Sequence, residues 1–143
     1  KILKINQNVS EEVSILINKY NLESRVIFLG HLKDLNLFYK KIHLYLSTCY
    51  SNAPGRPVFE AAYFKIPSLT CIDESKEDGF IDGKTGMSVS AGSPPEIADA
   101  VELLFDSSDK LIEMGKNANK MALKYRNPQE NKKKLLDLYL KFN

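Results

Sequence analysis

Apolar residues recur along this chain at two spacings. Val13, Leu16, Ile17 and Tyr20 fall at i, i+3, i+4 and i+7, one face of a helix. Ser10 suits the N-cap of that helix, and Glu11 and Glu12 lie in its first turn, where the helix dipole favours acids. Leu35, Phe38, Tyr39 and Ile42 repeat the spacing. It returns at Ile97, Ala100, Val101 and Leu104, then at Leu111, Met114, Ala118, Met121 and Tyr125. The last helix takes Leu135, Leu138, Tyr139 and Phe142 as its inner face. Start signals agree: "SPPE" (Ser93 to Glu96) reads as a capping box with Pro at the first helical position. Ser108 opens the next helix, and "NPQE" (Asn127 to Glu130) is a second start of similar type. Between these faces lie short strand-like segments. Ile2, Leu3 and Ile5 predict a short strand, the continuous apolar run "RVIFLG" a buried parallel strand, and "HLYLST", "IPSLTCI" and "MSVS" three further strands. Pro57 to about Lys65 predicts a helix. The alternation predicts an α/β fold, a Rossmann-like parallel sheet flanked by helices, with the last two helices appended to the sheet. There is no internal repeat and no low-complexity linker.

Composition changes little. The 143 residues suffice for one domain over 1–143 with a core of its own. Hydrophobic residues make up 43% and charged residues 27%, ordinary for a soluble globular protein. A formal net charge of +2 is too small to argue for nucleic acid by itself, and none is expected as a partner. No apolar run is long enough to span a bilayer, and no signal peptide is visible. Cys49 and Cys71 read as small core-side residues in a reducing compartment, and no Cys/His spacing suggests a metal site. Lys132 to Lys134 lie outside the last apolar stripe. A solvated face is the simpler reading, and peripheral contact with an anionic membrane surface the alternative.

The candidate chemistry sits in "SNAPGRPVFEAAYFKIPSLTC", Ser51 to Cys71. Ligands of open α/β sheets bind at the carboxyl ends of strands. "CYSNAPGR" is the loop at that end of "HLYLST". Pro57 fits the first helical position, and Gly55 allows close approach of the main chain. The amides ahead of and including Val58 would face the crevice, a cradle for phosphate or pyrophosphate. Arg56 would add a charge-assisted contact, and Glu60, one turn in, would accept two hydroxyl hydrogen bonds, as from a ribose. The simpler reading makes Gly, Pro and Arg a tight turn and leaves Glu60 in water.

Five stretches in order resemble the nucleotide-binding, C-terminal half of a group 1 (family 4) retaining glycosyltransferase of the GT-B type. They are "RVIFLGHL", "LFYKKIHLYLST", "GRPVFEAAYFKIPSLT", "GFIDGKTGMSVSAGSPPEIADAVELLFD" and "LIEMGKNANK", within a resemblance that runs from about Arg25 to Lys124. The resemblance implies a domain that binds a nucleotide-sugar donor (a UDP-, GDP- or ADP-sugar) without a cofactor. Sugar transfer to the hydroxyl of a glycan or lipid-linked acceptor would keep the anomeric configuration. It further implies a cytoplasmic enzyme, at or near the inner membrane face, of polysaccharide or lipopolysaccharide biosynthesis. Carried over by residue, Glu60 matches the second Glu of the family's E-x7-E motif and would bind the donor ribose. Gly55, Arg56 and Pro57 would lie at the donor phosphates, and Gly30 and His31 near the base.

Two departures stand out. Asn52 occupies the first Glu of E-x7-E, where the family contacts donor-sugar hydroxyls; a one-residue shift would put Ser51 there, also without a carboxylate. That touches donor choice or rate, since Asn keeps an acceptor but loses the charge. Lys65 stands where the family usually has Gly, a local turn difference. The family's first strand-helix unit of this half, with its Arg and Lys for the phosphates, and the acceptor-binding half have no counterpart. The chain then reads as a fragment, inactive when isolated. The alternative is a non-catalytic nucleotide-sugar-binding module of the same fold.

Other motifs are weaker. "DGKTG" lacks the first Gly of a P-loop, since Asp78 stands there, and reads as two tight bends preceded by Lys76, Glu77 and Asp78. His43 opens a strand and reads as a packing or edge residue. Phe38, Tyr39, Tyr63 and Phe64 read as core aromatics.

Overall fold

The computed structural model describes residues 11–50, 54–71 and 80–142. The strand expected at Ile2 to Ile5, the cap at Ser10, Asn52 with Ser51, and Lys76 to Asp78 lie outside them. The chain divides into two compact units, Lys1–Phe38 and Tyr39–Asn143.

In the first unit, α1 spans Glu11–Lys19 with Glu11 and Glu12 in its first turn. It closes on a Schellman-type turn: Leu22 N–H donates to Ile17 O at 2.9 Å, and Asn21 takes φ 53°. Asn tolerates that left-handed conformation better than most residues. No residue of α1 is buried, so its apolar stripe is unburied. The run expected as a buried strand forms no ladder among the described residues. Val26 and Phe28 are half-buried while Ile27 and Leu29 are exposed. Alternating burial is the mark of a chain covered on one face, whereas a central strand is covered on both. A short helix, α2, runs over Leu35–Tyr39 and stops before Ile42. Asp34 opens it, its Oδ1 accepting from Asn36 N–H at 2.9 Å.

The second unit holds a parallel three-stranded sheet in the order β1-β2-β3. β1 is Tyr45–Tyr50, β2 Ser68–Cys71 and β3 Gly86–Ser88. The register pairs Tyr45 with Ser68 and Ser68 with Gly86. All four residues of β2 are buried, the polar Ser68 and Thr70 included, as for a strand covered on both faces. β3 begins at a glycine for a steric reason. A Cβ on Gly86 would collide with Ser68 O and the Phe80 ring. Phe80 is 2% exposed and fills that space. Burying such a ring contributes about 1.5–3 kcal/mol.

Three helices pack on the sheet. α3 (Arg56–Tyr63) lies on β1 and β2, α4 (Pro94–Phe105) on β2, and α5 (Ser108–Tyr125) on β3 and on α3. α4 buries Ala100 and Leu104 and half-buries Ile97 and Val101, the expected face. The capping box is altered: Ser93 makes no side-chain cap, and Glu96 reaches instead to Ser90 N–H at 3.0 Å. α5 buries Met114, Gly115, Ala118 and Ala122, a stripe rotated toward its smallest residues, while Tyr125 is exposed. Ala62 meets Ala118 and Ala122 there, so α3 and α5 approach closely. Asn119 Nδ2 donates to Ala62 O and Tyr63 O at 3.1 and 2.9 Å, closing the open end of α3.

α6 (Pro128–Lys141) is capped by Asn127, whose side chain accepts from Gln129 N–H. Its supposed inner face is a correction: Leu135, Leu138, Tyr139 and Phe142 are all exposed, and nothing in α6 is buried. Helical periodicity specifies an apolar side, and burial further requires an element to cover it. No helix among the described residues is long and apolar enough to cross a membrane.

Candidate functional site

The carboxyl end of β1 leads into the head of α3. Gly55 is its extended N-cap (φ −68°, ψ 162°), with Arg56 and Pro57 in the first turn. Gly55 has no side chain with which to cap the helix, and Pro57 has no N–H to satisfy, so among the described residues no side chain of the turn caps it. Val58 N–H donates to Gly55 O at 3.0 Å, and the Val58 side chain is buried in the core. Of the expected cradle, the Val58 amide is thus committed within the turn. Gly55 and Arg56 carry the other main-chain donors there, since Pro57 has none.

α3 buries Val58, Phe59, Ala61 and Ala62. Glu60 falls on its flank with the side chain 28% exposed, so it neither points freely into solvent nor sits sealed in the core. Both carboxylate oxygens are engaged. Arg56 Nε lies 2.9 Å from Oε1, and Tyr39 Oη donates to Oε2 at 3.0 Å. The two partners differ in kind. The Arg56 side chain is 86% exposed, and an exposed i,i+4 pair contributes only about 0.3–0.5 kcal/mol. Tyr39 is 4% exposed, its ring stacked on Phe64 at 5.3 Å between centroids. Burial, and then the neighbouring Glu60 carboxylate, holds the Tyr39 phenol well above its usual range, so it remains a proton donor.

Beside Glu60 lies a pocket of about 460 Å³. Its walls are Pro54, then Arg56, Phe59, Glu60 and Tyr63 of α3, with Arg126 at the end of α5 and Pro128 at the start of α6. The Arg126 guanidinium stands 4.4 Å from the Phe59 ring centroid, and Tyr63 Oη donates to Arg126 O. An apolar wall carrying a few charged groups is the usual make-up of a small-molecule site.

The structure therefore joins Gly55, Arg56, Pro57, Val58 and Glu60 at one helix head. Gly30 (φ 62°) and an exposed His31 belong to the first unit. The residues that the motif reading missed are Tyr39 and Arg126. Tyr39 carried a signal: a Tyr among core aromatics needs a partner for its hydroxyl. Arg126 carried none. "DGKTG" is a tight turn, with Thr85 Oγ1 accepting from Ile81 N–H at 2.7 Å and Gly83 at φ 70°. His43 is exposed, and Cys71 is a buried free thiol.

The fold is that of the GT-B glycosyltransferases. Sucrose-phosphate synthase from Thermosynechococcus elongatus superposes with a TM-score of 0.82 at 20% identity, covering 92% of this chain and 33% of that one. The C-terminal domain of LpcC, a group 1 glycosyl transferase family protein from Francisella tularensis, gives 0.70 at 20%, covering 82% and 62%. Anabaena HepE, in complex with UDP and glucose, gives 0.70 at 24%, covering 80% and 31%. The chain spans less than two thirds of each. No curated protein sequence matches it. The glycosyl transferases group 1 family matches residues 6–121, and the chain belongs to that family.

Proposed function

We propose that this chain is the donor-binding part of a retaining hexosyltransferase. The amides of Gly55 and Arg56 hold the pyrophosphate of a UDP-, GDP- or ADP-sugar, and Glu60 holds its ribose. Gly30 and His31 meet the base, and Asn52 meets the sugar. Holding the diphosphate stabilises charge as the bond from the anomeric carbon to the phosphate oxygen breaks. The acceptor hydroxyl then bonds to that carbon and passes its proton to the departing diphosphate oxygen. The acceptor, a glycan or lipid-linked sugar, is held by a separate half, so this chain alone binds nucleotide and transfers nothing. The role calls for no metal or cofactor. It suits polysaccharide or lipopolysaccharide synthesis in the cytoplasm, with Lys132 to Lys134 touching the inner membrane face.

One observation carries the reading: a half-buried carboxylate, Glu60, sits one turn behind a glycine-capped helix head. Family membership and the UDP in HepE support it. Titration of UDP, GDP and ADP tests it. Glu60→Ala should cost about 1–3 kcal/mol of affinity, the penalty for unsatisfied partners. Unchanged affinity refutes the assignment.

A second reading, a non-catalytic module, is favoured by Asn52 at a position the family fills with Glu. Equal affinity for UDP and UDP-glucose supports it, and tighter binding of UDP-glucose counts against it.

A further inference from the structure

The Glu60 carboxylate offers about four lone-pair positions. Arg56 Nε occupies one on Oε1, and Tyr39 Oη one on Oε2. Among the described residues these two contacts leave one position on each oxygen for a ligand, and two neighbouring hydroxyls on a sugar ring supply two such donors. What fixes this orientation decides whether the match persists. A Glu on a helix flank has three rotatable bonds, and an unfixed carboxylate loses entropy on binding. Arg56 is a poor anchor, because its side chain is 86% exposed and its attraction is screened by salt. Tyr39 is a good one. It lies 21 positions earlier in the chain, its ring is buried, and Phe64 stacks on it with planes 16° apart. A Phe in its place would fill the same volume, so packing alone gives no reason for the hydroxyl.

We propose that Tyr39 is a positioning residue that holds the Glu60 carboxylate in the orientation that receives both ribose hydroxyls, and so sets a preference for ribonucleotide over deoxyribonucleotide donors. The proposal rests on the reading of Glu60 given above. Tyr39 touches no substrate atom and acts through Glu60.

The test compares UDP, GDP and ADP with their 2′-deoxy analogues, on the protein that carries this chain, as wild type, Tyr39→Phe, Glu60→Gln and the double variant. Wild type should favour the ribonucleotide by about tenfold, the size of one good hydrogen bond to a charged group. Tyr39→Phe should cut that preference to about twofold or less, mostly through weaker ribonucleotide binding. The double variant should match Glu60→Gln, because both act through one carboxylate. A purely structural role for Tyr39 lowers the melting temperature and leaves the preference intact, which overturns the proposal. If Glu60→Gln itself leaves the preference unchanged, or wild type binds none of the nucleotides, the Glu60 reading fails and takes this one with it. A salt series on wild type needs no variant. A preference steady from low to high salt supports Tyr39 as the anchor, whereas one that vanishes assigns the role to Arg56 and overturns the proposal.

Discussion

Gly115 of α5 lies directly beneath the main-chain carbonyl of Lys65. A Cβ at 115 would collide with Lys65 O and crowd the Pro67 ring. This contact seats α5 against the turn that joins α3 to β2, and so holds the α3 helix from behind. Gly115→Ala should raise helix propensity yet destabilise the protein by about 1–3 kcal/mol, the cost of overpacking. Chemical denaturation of both forms checks it. A stabilised alanine variant would mean that the turn shifts freely.

Lys65 itself takes φ 61°, a left-handed conformation that side chains with a Cβ disfavour. It ends α3 in a Schellman-type turn, with Ile66 N–H donating to Ala61 O and Lys65 N–H to Ala62 O, both at 3.0 Å. The sequence resemblance places glycine here, and the backbone supplies the reason. Lys65→Gly should stabilise by about 0.5–1 kcal/mol, part of the left-handed cost being offset by the entropy of glycine. Thermal melts should show a higher midpoint.

Glu96 lends itself to a pH test. Ser90 N–H, then the Ser90 and Ser93 hydroxyls, bond its carboxylate and hold its pKa below the ordinary 4.5. The folded pKa is depressed, so the stabilisation is present above the ordinary value and is lost as pH falls through the folded one. Melting wild type and Glu96→Gln between about pH 3 and about pH 7 should show the wild-type advantage only at the upper end. Parallel curves throughout would contradict it.

Much of this was legible in the chain. The segment around Leu69 and Thr70 announced a strand, and β2 is one, buried at all four positions. The Gly-Arg-Pro start of α3 announced an open helix head. The misses share a cause, since pattern describes one segment and burial involves two. Ile27 and Leu29 look like core yet are exposed, and so do Leu138 and Phe142. Tyr39 and Glu60 are bonded across 21 positions, a pairing that no local spacing encodes. The Val58 amide was expected to be open and is spent on Gly55 O, because the first turn tightens.

The central claim is that the head of α3 grips a nucleoside diphosphate. A crystal of this protein grown with UDP or GDP addresses it most directly. The account predicts the diphosphate against the Gly55 and Arg56 amides, with both Glu60 oxygens on the ribose. Nucleotide bound elsewhere with this helix head empty, or Glu60 swung out into solvent, would contradict it.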